Sequence, residues 1–433
     1  MFRVPFGRSY IDFDPPAGMR GVLVTSRTAT PLPDLAGAVA SALAAPVNSH
    51  PLRDLARPGL KVCLVFTDAT RSSPDQVLVP ALLAELERAG VRDRDITLLC
   101  GLGLHRPATV EELETKLGAS VLKRFRVESH RPLDPSDLVD LGVTTQGVPL
   151  IVNRLAAEAD LLLATGLVEP HQYAGYSGGR KTVAIGAGGE AMIARTHGPE
   201  MVDHPGTRLG RLEGNPFHEA ISAAARRAGL KFILNVVQDE MKRPVAVLAG
   251  EPEATFGRLV QAARKLYETP IPRQFDLAVA GVGHPKDANI YQACRAASYL
   301  FFAPTSVVRE GGAIILPAPT PEGAGQGLGE KRFLETMRSA GDMTSLLAKL
   351  RRTGYPPGAQ RAFIMAKVME KIEVIVVGSE TPEIVRQVHM TPARDMDEAF
   401  RLAARRMGRT GLEAAVVPQA LLTLPIVTPG ESD

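Results

Sequence analysis

The 433-residue chain has no tryptophan, only three cysteines and a net charge of just +3. Cys63, Cys100 and Cys294 stand far apart, none of them in a CxxC pair, and each lies in or beside an apolar run. That placement excludes a disulfide framework and implies buried free thiols in a reducing compartment. There is also no HExxH and no Cys/His array, so a metal site built from side chains alone is not expected. Basic residues are scattered, with Arg195, Arg208 and Arg211 reading as local charges, so nucleic acid is not an expected partner. No run of about eighteen apolar residues occurs, and MFRVPFGRSY at the start lacks a secretory apolar core. Membrane insertion is therefore not expected, and the expected location is the cytoplasm.

What is there is the balance of a globular protein, 45% hydrophobic and 22% charged, at a length that suits two domains. Short apolar runs alternate with amphipathic stretches. The strand candidates are KVCLVF from Lys61, ITLLCG from Ile96, DLLLATGLV from Asp160, KFILNVV from Lys231, FDLAVAGV from Phe275, GGAIILP from Gly311 and IEVIVVG from Ile372. Helices are expected between them, one from Asp75 and one at NPFHEAISAAARRAG, with Asn215 as N-cap and Pro216 opening the first turn. The expected fold class is α/β, with two domains of largely parallel, helix-flanked sheets and an active-site crevice between them. Pro270 and Pro272 interrupt any helix ending at Tyr267, which places the boundary between residues 1–270 and 271–433. PAPTPEGAGQGLG is expected as a long loop, and the final TPGESD as a loose tail.

Four strand candidates run into polar clusters. These are Thr67-Asp68-Ala69-Thr70-Arg71, Leu102-Gly103-Leu104-His105-Arg106-Pro107, Glu169-Pro170-His171, and Gly283-His284-Pro285-Lys286 with Tyr291 and Gln292 beyond. Ligands in open parallel sheets bind beyond the carboxyl ends of strands, so these clusters are candidates for one site. Ser177-Gly178-Gly179 forms a possible phosphate nest before Lys181. The segment is near a Walker A loop but carries Arg180 where that motif needs glycine, and GLGLHR fails the dinucleotide fingerprint at Arg106. Taken alone, Lys181 reads as a phosphate-pairing lysine or as a covalent attachment point. His197, at the end of a short helix before Gly198, reads as a dipole-satisfying residue or as a ligand.

Together, TDATR (Thr67–Arg71), GLHRP (Gly103–Pro107), EPHQYAGYSGGRK (Glu169–Lys181), THG (Thr196–Gly198) and YQ (Tyr291–Gln292) resemble the nickel-dependent lactate racemase family over nearly the whole chain. The resemblance implies a racemase or epimerase of a 2-hydroxy acid that depends on nickel and on cofactor-biosynthesis enzymes. Its cofactor is a nickel-pincer nucleotide, a pyridinium mononucleotide holding nickel through one carbon and two sulfurs. The family pattern makes Lys181 the covalent tether, as a thioamide, and His197 the protein's nickel ligand. It gives Asp68, Thr70, Ser177, Gly178 and Gly179 to the cofactor's phosphate and ribose. His105 and His171 become the acid/base pair, and Arg71, Tyr291, Gln292 and Arg295 the substrate-binding residues. Arg295 stands where the family usually has lysine, and the tryptophan often found near the pocket is missing. Both departures leave the choice of 2-hydroxy acid open.

Two other classes compete with this expectation. One is an oxidoreductase using a diffusible nicotinamide nucleotide; the other is a non-catalytic metabolite- or nucleotide-binding protein on the same scaffold.

Overall fold

The computed structural model describes residues 1–356 and 358–428; the expected tail lies, from Pro429 on, outside them. The α/β class holds. Contacts divide the chain into two units, one of Thr28–Thr196 with Arg211–Leu266, the other of Met1–Arg27, His197–Gly210 and the residues from Tyr267 onward.

The first unit is built on a six-stranded sheet in the order Pro244–Gly250, Leu230–Gln238, Leu161–Leu167, Val62–Thr67, Ile96–Gly101 and Arg126–Ser129. All neighbours are parallel except Pro244–Gly250, which pairs antiparallel with Leu230–Gln238. Every residue of Val62–Thr67 and of Leu161–Leu167 is buried. Strands covered on both faces show as unbroken apolar runs, which is why these two were visible in the sequence. The helix Pro216–Arg227 starts as expected, the Asn215 side chain accepting from the Phe217 and His218 amides with Pro216 in the first turn.

The second unit has a six-stranded, all-parallel sheet in the order Thr391–Ala393, Glu373–Val377, Val308–Pro317, Phe275–Ala280, Glu413–Val417 and Arg20–Leu23. This arrangement corrects the single cut expected after residue 270. The break itself falls at Tyr267, where the helix Pro252–Tyr267 ends. The first 27 residues, however, join the C-terminal sheet, because Arg20–Leu23 pairs with Glu413–Val416. Residues 197–210 also belong there. Leu209 N donates to Phe302 O at 3.0 Å, and Asp203 pairs with Arg351 and Lys367 at 2.7 and 2.5 Å. Long-range pairing of this kind leaves no trace in local periodicity. After Tyr267 the chain does not simply break: Glu268–Ile271 pairs in parallel with Leu424–Val427.

Among the described residues, no helix is long and apolar enough to cross a membrane.

Candidate active site

Three of the four polar clusters leave the carboxyl ends of adjacent parallel strands, Leu161–Leu167, Val62–Thr67 and Ile96–Gly101. Their loops therefore start side by side. The fourth follows Phe275–Ala280 and so belongs to the sheet of the other unit.

A short polar contact joins the loops that follow Val62–Thr67 and Ile96–Gly101. His105 Nδ1 lies 2.6 Å from Asp68 Oδ2, and Thr70 Oγ1 donates to Asp68 Oδ1 at 2.7 Å. Asp68 is buried while the His105 side chain is half exposed. Burial alone would raise the Asp68 carboxyl, but the bonds from His105 and Thr70 and the charge of Arg71 hold it below its ordinary value. Asp68 is thus a carboxylate, and His105 donates its Nδ1 proton to it, leaving the Nε2 lone pair free to take a proton. A residue expected to hold cofactor has a second task, fixing a histidine ring. No hydrogen bond or ion pair among the described residues engages the Arg71 guanidinium, which leaves its planar fork available to a carboxylate.

His171 sits in a tight hairpin, Pro170–His171 against Gly175–Tyr176. Its Nδ1 accepts from the Tyr173 and Ala174 amides at 3.3 and 3.2 Å. A ring nitrogen facing two N–H donors is unprotonated, so the neutral ring carries its proton on Nε2, the reverse of His105. The hairpin needs Gly175, at φ +74°, because a Cβ there would lie 2.1 Å from Arg211 O. Buried Asn215 supports the same turn, its amide donating to Tyr173 O at 2.8 Å and Arg211 O at 2.9 Å.

After the hairpin comes the glycine turn. Gly178, at φ +147°, packs so closely on Phe256 that a Cβ would meet the ring at 2.8 Å. The Ser177 hydroxyl donates to Leu167 O at 2.5 Å and accepts from Glu169 N at 3.1 Å. That proton is spoken for, and the Lys181 amide donates to Gly178 O at 2.8 Å, so the Gly179 and Arg180 amides, rather than the serine hydroxyl, offer donors to a phosphate. Arg180, which spoiled the Walker pattern, is 2% exposed and stacks 3.5 Å from the Phe256 ring centroid. Lys181 turns to the site instead. Desolvation of its amine, with the nearby charge of Arg71 adding, pushes its pKa down to about 7 against the opposing pull of Asp68 and Glu169. At neutral pH much of it is a free amine, the nucleophilic form.

The remaining candidates lie in the second unit. His197 follows the helix Glu190–Thr196, and its carbonyl accepts from Tyr355 Oη at 2.7 Å. Tyr291 and Gln292 lie on the turn Ile290–Ala293, capped by Asn289, whose side chain accepts from Gln292 N at 3.0 Å. Arg295 opens the next helix, Arg295–Phe301, with its guanidinium 3.4 Å from Gln292 Oε1 and 3.2 Å from Tyr299 Oη. The Arg361 guanidinium lies 5.4 Å from the Tyr291 ring centroid, a neighbour that sequence spacing had not connected to it. Among the described residues, no group of three or more His, Cys, Asp and Glu side chains is placed to hold a metal ion.

Imidazoles, a carboxylate, a free guanidinium and a desolvated lysine at the strand ends of a parallel sheet define an α/β enzyme. The chain matches the lactate racemase N-terminal domain over residues 6–210 and the lactate racemase C-terminal domain over residues 273–423. It is 34% identical over 381 residues to a lactate racemase of Lactiplantibacillus plantarum, covering 87% of each chain. Identity to a lactate racemase of Thermoanaerobacterium thermosaccharolyticum is 31% over 405 residues, 92% of this chain and 93% of the other. The solved lactate racemase apoprotein of the latter organism superposes with a TM-score of 0.86 at 29% identity, covering 98% and 99% of the two chains. A Thermotoga maritima protein of solved structure shares the fold, with a TM-score of 0.62 at 21% identity over 87% of this chain and 96% of its own. The chain belongs to the lactate racemase family, and it is an isomerase of the racemase type.

Proposed function

We propose that the protein inverts the configuration of a 2-hydroxy acid, lactate or a close relative, through the 2-oxo acid, with a nickel-pincer nucleotide held by Lys181 and His197. What supports this is the free amine of Lys181, set in the field of Arg71 and Asp68 while the same Asp68 orients His105. The donor types fit the group: a nucleophilic amine to join it and an imidazole to ligate nickel. When bound, that cofactor supplies reversible hydride acceptance.

The chain's own residues do the rest. Arg71 binds the substrate carboxylate through its unengaged guanidinium. His105, its ring held by Asp68 through Nδ1, accepts the hydroxyl proton on Nε2 as the carbon is oxidised. His171, its Nδ1 occupied by the Tyr173 and Ala174 amides, donates from Nε2 as the hydroxyl re-forms on the other face. Tyr291, Gln292 and Arg295 orient the substrate. Hydride and proton both leave and return, so no net oxidation results.

The test is intact-mass and metal analysis after co-expression with cofactor-biosynthesis enzymes. The wild-type protein is expected to carry an adduct and nickel and to invert a 2-hydroxy acid, and Lys181→Ala to carry no adduct. His105→Ala and His171→Ala are expected to keep nickel and lose inversion. An adduct on Lys181→Ala sinks the tether. Turnover by nickel-free protein with added nicotinamide nucleotide, with net oxidation, replaces the racemase mechanism by the redox alternative.

A further inference from the structure

The loop from Asp68 to Pro74 carries three candidate site residues and has almost no secondary structure of its own. Gln238 ties its middle, accepting from Ser72 Oγ at 2.7 Å and donating to Ser72 O at 2.9 Å, and a lysine from elsewhere holds the residues on either side. Lys116, near the end of the helix Val110–Leu117, has a side chain only 9% exposed. Its Nζ donates to Arg71 O at 3.1 Å, Ser73 O at 3.0 Å and Thr67 Oγ1 at 3.0 Å, and lies 2.7 Å from Asp75 Oδ2. Asp75, fully buried, also accepts from Thr67 Oγ1 and Thr165 Oγ1 at 2.7 Å and from Ser73 Oγ at 3.1 Å. The network thus ties two neighbouring strand ends, the loop and two helices to one point.

A buried lysine–aspartate pair is no better for stability than well-packed apolar side chains of the same size. Its geometry is another matter, since two of the lysine's bonds go to backbone carbonyls on either side of Ser72. The same helix is tied at its other end to the His105 loop, where Arg106 pairs with Glu112 at 2.6 Å. We infer that Lys116 is a positioning residue that sets the Arg71 guanidinium for the substrate carboxylate. This rests on the function proposed above.

The variant Lys116→Met leaves Asp75 as a bare buried charge, so it is paired with Lys116→Met/Asp75→Asn, which removes both charges and preserves folding if the single variant does not fold. In the loaded double variant KM for the 2-hydroxy acid is expected to rise about tenfold or more, with kcat changed far less and adduct and nickel unchanged. In the unloaded double variant, amide hydrogen exchange over residues 68–75 is expected to quicken selectively. An unchanged KM in the folded double variant overturns the inference. Lack of turnover by the loaded wild type is instead a failure of the function proposed above. Exchange over residues 68–75 then decides the role of Lys116, and an unchanged rate overturns it.

Discussion

His105 and Asp68, from loops that leave neighbouring strands, meet at 2.6 Å between Nδ1 and Oδ2. The bond fixes both the ring's plane and its tautomer. Asp68→Ala is therefore expected to lower kcat for inversion, expressed per bound nickel, about 10²-fold, the scale of a lost oriented base. Steady-state kinetics with metal analysis on the same samples checks this.

The two histidines hold their protons on opposite nitrogens. In ¹⁵N spectra of the unloaded protein, His105 is expected as the Nδ1–H tautomer and His171 as Nε2–H. Asp68→Ala should abolish the preference at His105 and leave His171 as it was. Finding both rings in one tautomer removes the acceptor and donor assignments.

Lys181, at about 7, titrates well below the ordinary lysine range. An amine-acylating reagent should modify it in unloaded protein with a midpoint near that pH, read by peptide mass. Stability follows with a definite sign. Between the folded value and the ordinary one the unfolded state binds more protons, so this group makes stability rise with pH across that window. Lys181→Met should accordingly gain most in unfolding midpoint below pH 7 and lose that advantage as the pH rises towards the ordinary lysine value.

Burial pushes the thiols of Cys63 and Cys100 up to about 12 and that of Cys294 to about 11. A thiol-exchange reagent at mildly alkaline pH should find none of the three in the folded protein and all of them in denaturant. A fast-reacting thiol in the native state contradicts their burial.

Asn215 caps the helix Pro216–Arg227 and also donates to two carbonyls beneath the His171 hairpin. Asn215→Ala removes the cap and leaves those carbonyls short of a donor, so it is expected to cost about 2–3 kcal/mol in urea unfolding.

That cap was legible because every atom of it lies within a few residues of Asn215. The strands Val62–Thr67 and Leu161–Leu167 were legible because double-sided burial writes itself as an apolar run. The four clusters could be named but not sorted, since which sheet a strand joins depends on pairing, and the Gly283 cluster fell to the other sheet. Asp68 and His105 were both singled out without any sign that they touch, and Ser177 gave no sign that its hydroxyl is used by Leu167. Asp75 was read only as the start of a helix and Lys116 was not singled out, because a buried ion pair is a property of packing and carries no motif.

The pairing of Arg20–Leu23 with Glu413–Val417 sets a schedule for biosynthesis. That edge strand is synthesised about 390 residues before its hydrogen-bonding partner. Throughout translation its open edge has nothing to join, whereas the strands of the Thr28–Leu266 sheet are complete long before release. Truncations that remove Glu413–Val417 should therefore leave Arg20–Leu23 without a partner as well, so that damage to one segment is felt in another far along the chain.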